Sequence, residues 1–255
     1  MMPTKTTGDP SMPPVSPDVL GGLSADLADA ALALATHYAA GATLWCHAPQ
    51  WPAHAHHVAV EFVHPVIVGK RALPAVVVPA HEPVGSLRVL GRPGDVLLAV
   101  ADATDPTVAD TMLRAPAWGL ETIWIGAGPR PPSGVADHLL WLDDAGARAP
   151  HTGELVLLYH VLWELTHVCF EHPGLLESRL DDAACAVDAE AGGTCITCSD
   201  EGRVAEVVSV GPDVAVVRAA GQLEEADVTL VGPVRPGDVV LIHAGTAISR
   251  LGGDS

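Results

Sequence analysis

The stretch Asp95-Val-Leu-Leu-Ala-Val-Ala101 is followed by a helical pattern at residues 106–115 and then by Glu121-Thr-Ile-Trp-Ile-Gly126. The two apolar runs are short and continuous, which is typical of strands buried on both faces of a parallel sheet. The intervening pattern has the length of the crossover helix that parallel strands need. This stretch therefore predicts an α/β fold.

Similar short elements flank this stretch on both sides. Strands are predicted at residues 43–47, 75–79 and 138–142, and helices at residues 23–40 and 152–171. The last helix ends before His172-Pro173-Gly174, because proline and glycine cannot comfortably continue it. Alternating strands and helices predict a doubly wound parallel sheet with helices on both faces.

The pattern changes to β beyond this helix. Val-rich runs at residues 204–210, 214–219, 226–230 and 238–243 are separated by turns rich in glycine, proline and aspartate. Such short strands predict a small all-β, OB-like barrel. The predicted organisation is a disordered tail at 1–20, an α/β domain at 21–177, a linker at 178–194 and a β domain at 195–255.

Composition excludes several classes of function. The chain of 255 residues has 31 acidic residues against 13 lysines and arginines, a formal net charge of −18, so nucleic acid and anionic membranes are excluded as partners. Five cysteines and no signal-peptide pattern argue against a disulfide framework, which predicts a cytoplasmic protein. The apolar run at 155–170 is interrupted by His160, Glu164 and His167, which favours a buried helix over a membrane span.

The β domain contains possible metal ligands. Cys195 and Cys198 form a Cys-x-x-Cys pair, and His243 ends the last predicted strand. Thiolates and imidazole suit iron, zinc or copper. Structural zinc usually takes four protein ligands, so three candidates favour an open, iron-carrying site. The alternative is that both cysteines are ordinary thiols.

Two segments of this domain, Cys195-Ile-Thr-Cys198-Ser-Asp-Glu-Gly202-Arg-Val and Asp238-Val-Val-Leu-Ile-His243-Ala-Gly-Thr-Ala-Ile, resemble the HypC/HupF family of [NiFe]-hydrogenase maturation chaperones. The resemblance implies an iron centre with cyanide and carbon monoxide ligands, held by a cysteine thiolate and His243. It also implies two partners, a HypD-like maturation scaffold and the hydrogenase large-subunit precursor. Unlike the cysteine of that family, both thiols here are internal, so which of them is the ligand stays open.

The order of elements in the α/β domain resembles the SIS (sugar isomerase) fold, particularly the phosphoheptose isomerases. His57, Glu61 and His160 occupy the places of that family's divalent-metal residues, which implies a zinc site, and the fold implies a homodimer or higher oligomer. The i, i+4 spacing puts His57 and Glu61 on one helical face. Glu164 and His167 follow His160 at helical spacing, so all three are expected on one side of the last helix.

The resemblance departs from this family at the phosphate-binding loop. Ala101-Asp-Ala-Thr-Asp-Pro-Thr107 replaces a serine-rich loop, and Asp102 and Asp105 oppose anion binding. The leading hypothesis is therefore the maturation chaperone, not an enzyme. The alternatives are an aldose-ketose isomerase with Glu61 as base and His160 as its partner, and a regulator that binds a sugar derivative. His54, His56 and His64 are expected to be partly exposed polar residues.

Overall fold

The computed structural model describes residues 21–142, 153–177 and 202–252. The α/β domain contains a parallel five-stranded sheet in the order β2-β1-β3-β4-β5. Its strands are β1 (Leu44–His47), β2 (Ala75–Val77), β3 (Val96–Val100), β4 (Glu121–Ala127) and β5 (His138–Leu142). The parallel sheet predicted from the apolar runs is confirmed.

Helices cover both faces of this sheet. They are α1 (Ser24–Ala39), α2 (Pro52–Val63), α3 (Pro83–Leu90), α4 (Pro106–Arg114) and α5 (Gly153–Glu171), with a 3₁₀ turn at Ala115–Trp118 after α4. Side chains alternate across β3, so Leu98 packs in the core with α1, α2 and α5, whereas Leu97 packs with α3 and α4. Helix α3 was not predicted, because its eight residues include Gly85 and Ser86 and carry only a short apolar pattern.

The second domain is a closed five-stranded barrel in the order β10-β8-β7-β6-β9. Its strands are β6 (Arg203–Val210), β7 (Val214–Ala219), β8 (Gln222–Asp227), β9 (Val239–His243) and β10 (Thr246–Leu251). Aliphatic side chains, among them Ala205, Val217 and Ile242, fill the interior. The barrel class is confirmed, with two local differences from the predicted strands.

The strand predicted at residues 226–230 is wrong, and β10 was not predicted. Ala220 and Gly221 both have positive φ and form the tight two-residue turn that starts β8 at Gln222. Ala244 and Gly245 form the equivalent turn before β10. The sequence of β8, Gln-Leu-Glu-Glu-Ala-Asp, is polar because most of its side chains face solvent. Its pattern therefore does not resemble an apolar strand.

The barrel packs against the α/β domain at the 3₁₀ turn that precedes β4. The Gly221 amide donates to the Ala117 carbonyl over 2.9 Å, and the Trp118 indole Nε1 donates to Glu206 Oε2 over 3.0 Å. Arg114 Nη1 donates to the Gly237 carbonyl over 2.7 Å. These contacts lie at the amino end of β4, so the barrel occupies the end of the sheet opposite to its carboxyl edge.

Three predicted features lie outside the described residues. They are the tail at 1–20, the linker at 178–194 and both cysteines of the Cys-x-x-Cys pair. Within the described ranges, no helix combines the length and apolar character needed to cross a membrane.

Candidate functional site

Helices α2 and α5 bring together the three predicted metal ligands of the α/β domain. His57 Nε2 lies 3.3 Å from Glu61 Oε1, one turn further along α2. His160 Nε2 on α5 lies 3.2 Å from His57 Nε2 and 3.7 Å from Glu61 Oε1. The proximity of His57 and Glu61 expected from their spacing is observed, and so is that of His160, which the SIS resemblance implied, although His160 lies 103 residues after His57 in the chain.

The geometry of this cluster fits a zinc ion. Tetrahedral zinc with bonds of about 2.0–2.1 Å separates its ligand atoms by about 3.3 Å. The three ligand atoms of His57, Glu61 and His160 have separations close to this value and lie within 4.8 Å of one another. Their side chains are partly exposed, which leaves room for a further ligand from solvent.

Tyr159 contacts His57 of this cluster, and His54 contacts Tyr159 in turn. Neither residue was predicted to be part of the site. The Tyr159 hydroxyl lies 2.9 Å from His57 Nδ1 and 3.3 Å from His54 Nδ1. Burial, with the Glu61 charge, raises the pKa of Tyr159 to about 12, so the hydroxyl stays protonated. A partner on Nδ1 fixes the ring of a metal-binding histidine and directs its Nε2 outward. His54, expected to be partly exposed, is instead buried.

Glu164 and His167 do not join the cluster, contrary to the expectation from helical spacing. Lys70 Nζ lies 3.1 Å from Glu164 Oε1 and 2.9 Å from Glu171 Oε1, so Glu164 belongs to a surface ion pair. His167 is buried, with its ring nitrogens 2.8 Å and 3.0 Å from the carbonyls of Trp163 and Arg71. Its role is therefore in packing.

In the segment at residues 101–107, two aspartates accept hydrogen bonds from the local amides. Asp105 Oδ1 accepts from the amides of Thr107 and Val108 at the start of α4, over 2.9 Å and 3.2 Å. Asp102 Oδ1 likewise accepts from the amide and hydroxyl of Thr104. Helix N-terminal amides bind phosphate when they are free. Here the first amides of α4 already donate to the negatively charged side chain of Asp105.

In the barrel, His243 is the last residue of β9 and is half-buried. The β6–β9 register pairs Arg203 with Ile242, which places Gly202 beside His243. Cys198 precedes Gly202 by four residues in the sequence and lies outside the described residues.

Sequence comparison relates this barrel to a known family. Residues 202–255 match the model of the HupF/HypC family. The matched residues 202–255, the HupF/HypC module, include His243 and the whole barrel. Cys195 and Cys198 precede this range. This match supports a role in hydrogenase maturation in general terms. No curated protein sequence matches the chain.

Structure comparison identifies the fold of the α/β domain. A phosphoheptose isomerase from Francisella tularensis superposes with a TM-score of 0.53 at 14% identity, over 59% of this chain and 89% of that one. A phosphoheptose isomerase from Neisseria gonorrhoeae gives a TM-score of 0.49 at 16% identity, over 58% of this chain and 89% of that one. The first of these likenesses shows that the domain has the SIS fold.

Proposed function

We propose that this protein is an assembly factor for [NiFe] hydrogenase. Its HupF/HypC module binds an iron centre with cyanide and carbon monoxide ligands and transfers it from a HypD-like scaffold to the hydrogenase large-subunit precursor. The observation that carries the proposal is the family match over the complete barrel with His243 at the end of β9. The iron unit is cargo, and its chemistry is completed on the partners.

Cargo binding in this proposal needs one thiolate and the His243 imidazole. Both ligand types suit iron. Cys198 is the nearer thiol along the chain, because only three residues separate it from Gly202, which lies beside His243. The proposed cargo site therefore lies at the edge of the barrel where β6 begins and β9 ends.

The SIS-type domain supplies a fixed platform for this module. Glu206 of β6 is almost completely buried against Arg88, Arg114 and Trp118 of the α/β domain. A buried carboxylate with two cationic partners resists separation of the domains, because separation would break three contacts together. We propose that the platform also forms the homodimer and contacts the maturation partners.

Variants purified anaerobically with the hydrogenase maturation proteins test this proposal. Cys198→Ala and His243→Ala are expected to lose most of the iron per protein, and Cys195→Ala to lose less. His64→Ala is the matched control, since His64 is exposed on the other domain. Iron content that stays at the wild-type level in a Cys195→Ala, Cys198→Ala double variant would refute the thiolate role.

A second candidate function is a metal-dependent aldose-ketose isomerase, favoured by the fit of His57, Glu61 and His160 to zinc. Zinc would polarise a substrate carbonyl. In this case Glu61 moves the proton and His160 is its partner or a zinc ligand. Phosphorylated sugars are disfavoured as substrates, because the amides at the start of α4 already donate to Asp105 and are not free to bind a phosphate. Turnover of a heptose phosphate that is abolished in Glu61→Gln, but not in Glu164→Gln, would support it.

A further inference from the structure

The Tyr159 hydroxyl lies between the rings of two histidines of α2. It is 2.9 Å from Nδ1 of His57, which belongs to the metal cluster, and 3.3 Å from Nδ1 of His54, which does not. The arrangement is enclosed, since His54 is 6% exposed and Tyr159 is 1% exposed, and their rings meet edge to face. The hydroxyl therefore has two possible acceptors for its one proton.

The direction of these two hydrogen bonds depends on the tautomer of His57. A hydroxyl carries one proton, so it donates to only one of the two nitrogens at a time and accepts from the other. Burial raises the pKa of Tyr159 to about 12, so the hydroxyl keeps this proton at neutral pH. A neutral imidazole likewise has one N–H group and one nitrogen that accepts. Tyr159 therefore donates to His57 only when Nδ1 of His57 is bare.

Without a metal, Glu61 favours the tautomer of His57 that carries its proton on Nε2. A carboxylate only accepts hydrogen bonds, and Glu61 Oε1 lies 3.3 Å from this nitrogen. His57 Nδ1 is then an acceptor, and Tyr159 donates to it over 2.9 Å. In this arrangement His54 does not receive the hydroxyl proton.

Metal binding by His57 requires the opposite arrangement. A ligating Nε2 gives its lone pair to the metal, so the proton of His57 must then be on Nδ1. Nδ1 donates to the Tyr159 oxygen, and the hydroxyl proton turns to the remaining acceptor, His54 Nδ1. If that acceptor were missing, a buried hydroxyl would donate to nothing, which costs free energy.

We propose that His54 is a positioning residue of the metal cluster. As the acceptor for Tyr159, it stabilises the tautomer of His57 that can bind a metal, although His54 is not itself a ligand. The inference rests on zinc binding by His57, Glu61 and His160, which the second candidate function requires, and it is independent of the iron cargo. It deepens that function, because it assigns a role to a residue outside the three ligands.

Zinc affinities of His54 variants of the full-length protein, measured by competition with a chelator, test this role. His54→Leu keeps an apolar side chain of similar size but removes the acceptor, and it should weaken zinc binding roughly tenfold. His54→Asn should stay within about threefold of the wild type, because the amide oxygen can accept in place of Nδ1. His56→Leu is the matched control, since His56 is exposed on the same helix, and it should leave the affinity unchanged.

A double-mutant cycle with Tyr159 separates this role from simple packing. If His54 acts through the hydroxyl, His54→Leu should weaken zinc binding in the wild-type background but cause no further loss in Tyr159→Phe, which has no hydroxyl to direct. A packing role would weaken zinc binding equally in both backgrounds, and that result would overturn the proposal.

The ring nitrogens give a readout that needs no substitution. In the wild-type protein with ¹⁵N-labelled histidine, NMR should show that zinc converts His57 from the Nε2–H tautomer to the Nδ1–H tautomer. The same addition should shift the His54 Nδ1 resonance toward that of a nitrogen that accepts a hydrogen bond. If His54→Leu does not fold, this shift and the affinity of His54→Asn still decide the question.

The possible failures are distinguishable. An unchanged His54 Nδ1 resonance in a protein that has bound zinc, or an equal loss of affinity in His54→Leu and His54→Asn, would overturn the role of His54 and leave the metal site intact. Absence of zinc binding by the wild-type protein would overturn the metal site itself, and this proposal with it.

Discussion

Glu206 of the barrel lies with Oε1 2.7 Å from Nη2 of Arg88, a residue of the α/β domain 118 positions earlier in the chain. Arg114 Nη1 approaches the same oxygen to 3.4 Å, and the Trp118 indole donates to the other oxygen. Truncating one partner of a buried charge pair leaves the other without compensation. This carboxylate therefore holds the HupF/HypC module against the SIS-type domain.

Removing the Glu206 carboxylate should uncouple the two domains. We expect Glu206→Ala to lower the free energy of unfolding by roughly 2–3 kcal/mol, below the upper range for buried pairs because Arg88 is 40% exposed. Urea unfolding should then show two transitions. The tryptophan fluorescence reports on the α/β domain, which contains all six tryptophans, and far-UV circular dichroism reports on both domains. Glu224→Ala, which removes a partly exposed ion pair with Arg203, should cost less than about 1 kcal/mol.

Variants of His57, His160 and Tyr159 in the SIS-type domain are expected to lose different amounts of zinc affinity. His57→Ala and His160→Ala should each abolish stoichiometric zinc binding, since each removes one of three ligand atoms. Tyr159→Phe removes the hydroxyl beside His57 Nδ1 and should weaken zinc binding by about 10- to 100-fold. Competition with a zinc chelator measures these affinities. Glu164→Gln should have wild-type affinity, because Glu164 pairs with Lys70.

Asp105 should contribute to stability as a helix cap. Its carboxylate satisfies two amides at the start of α4, so Asp105→Ala should cost about 1 kcal/mol of folding free energy. Asp105→Ser should retain most of this stability, because a serine hydroxyl can accept the same bonds. Asp29→Ala on the exposed face of α1 is the control and should change stability little. Equal losses for alanine and serine would contradict the capping role.

Glu121 links the amino ends of β4 and β5 to α1 and should make stability depend on pH. His138 Nε2 and His37 Nε2 lie 3.3 Å and 3.7 Å from its carboxylate, and these contacts lower the pKa of Glu121 to about 2. Its contribution is therefore present above about pH 4.5 and is lost as the pH falls toward 2. The Glu121 contact also raises the pKa of His37, whose contribution is lost as the pH rises through that raised value.

A pH series of thermal unfolding measures this dependence. In Glu121→Gln, the decrease in melting temperature between pH 4.5 and 2 should become shallower than in the wild type. Glu82→Gln, a change at an exposed residue that precedes α3, serves as the comparison. An unchanged acid profile in Glu121→Gln would show that the contacts with His37 and His138 do not contribute to stability.

Periodicity and spacing predicted the parts of this molecule that depend on local pattern. Buried strands such as β3 and β5 were located within a residue or two, because continuous apolar runs bounded by glycine and proline have few alternatives. The cluster of His57, Glu61 and His160 was predicted from a helical spacing together with a family resemblance. Strand β8 was misplaced, because its sequence Gln-Leu-Glu-Glu-Ala-Asp faces mostly solvent and carries no apolar run.

Features that depend on packing between distant elements could not be predicted in the same way. Glu206 lies in a strand whose alternation resembles that of an ordinary barrel strand, and its partners are in another domain. His47 ends an apolar strand, and the sequence does not show that its ring lacks a partner. Tyr159 and His54 could have been suspected only from their positions beside His160 and three residues before His57.

The infrared spectrum of the wild-type protein tests the proposed cargo most directly. The protein is isolated anaerobically from cells that contain the hydrogenase maturation proteins, and its iron content is measured on the same sample. We predict bands of iron-bound cyanide and carbon monoxide that His243→Ala greatly diminishes and His64→Ala does not. A spectrum without these bands, in a sample that is folded and bound to its maturation partners, would contradict the proposal that the HupF/HypC module carries the iron centre.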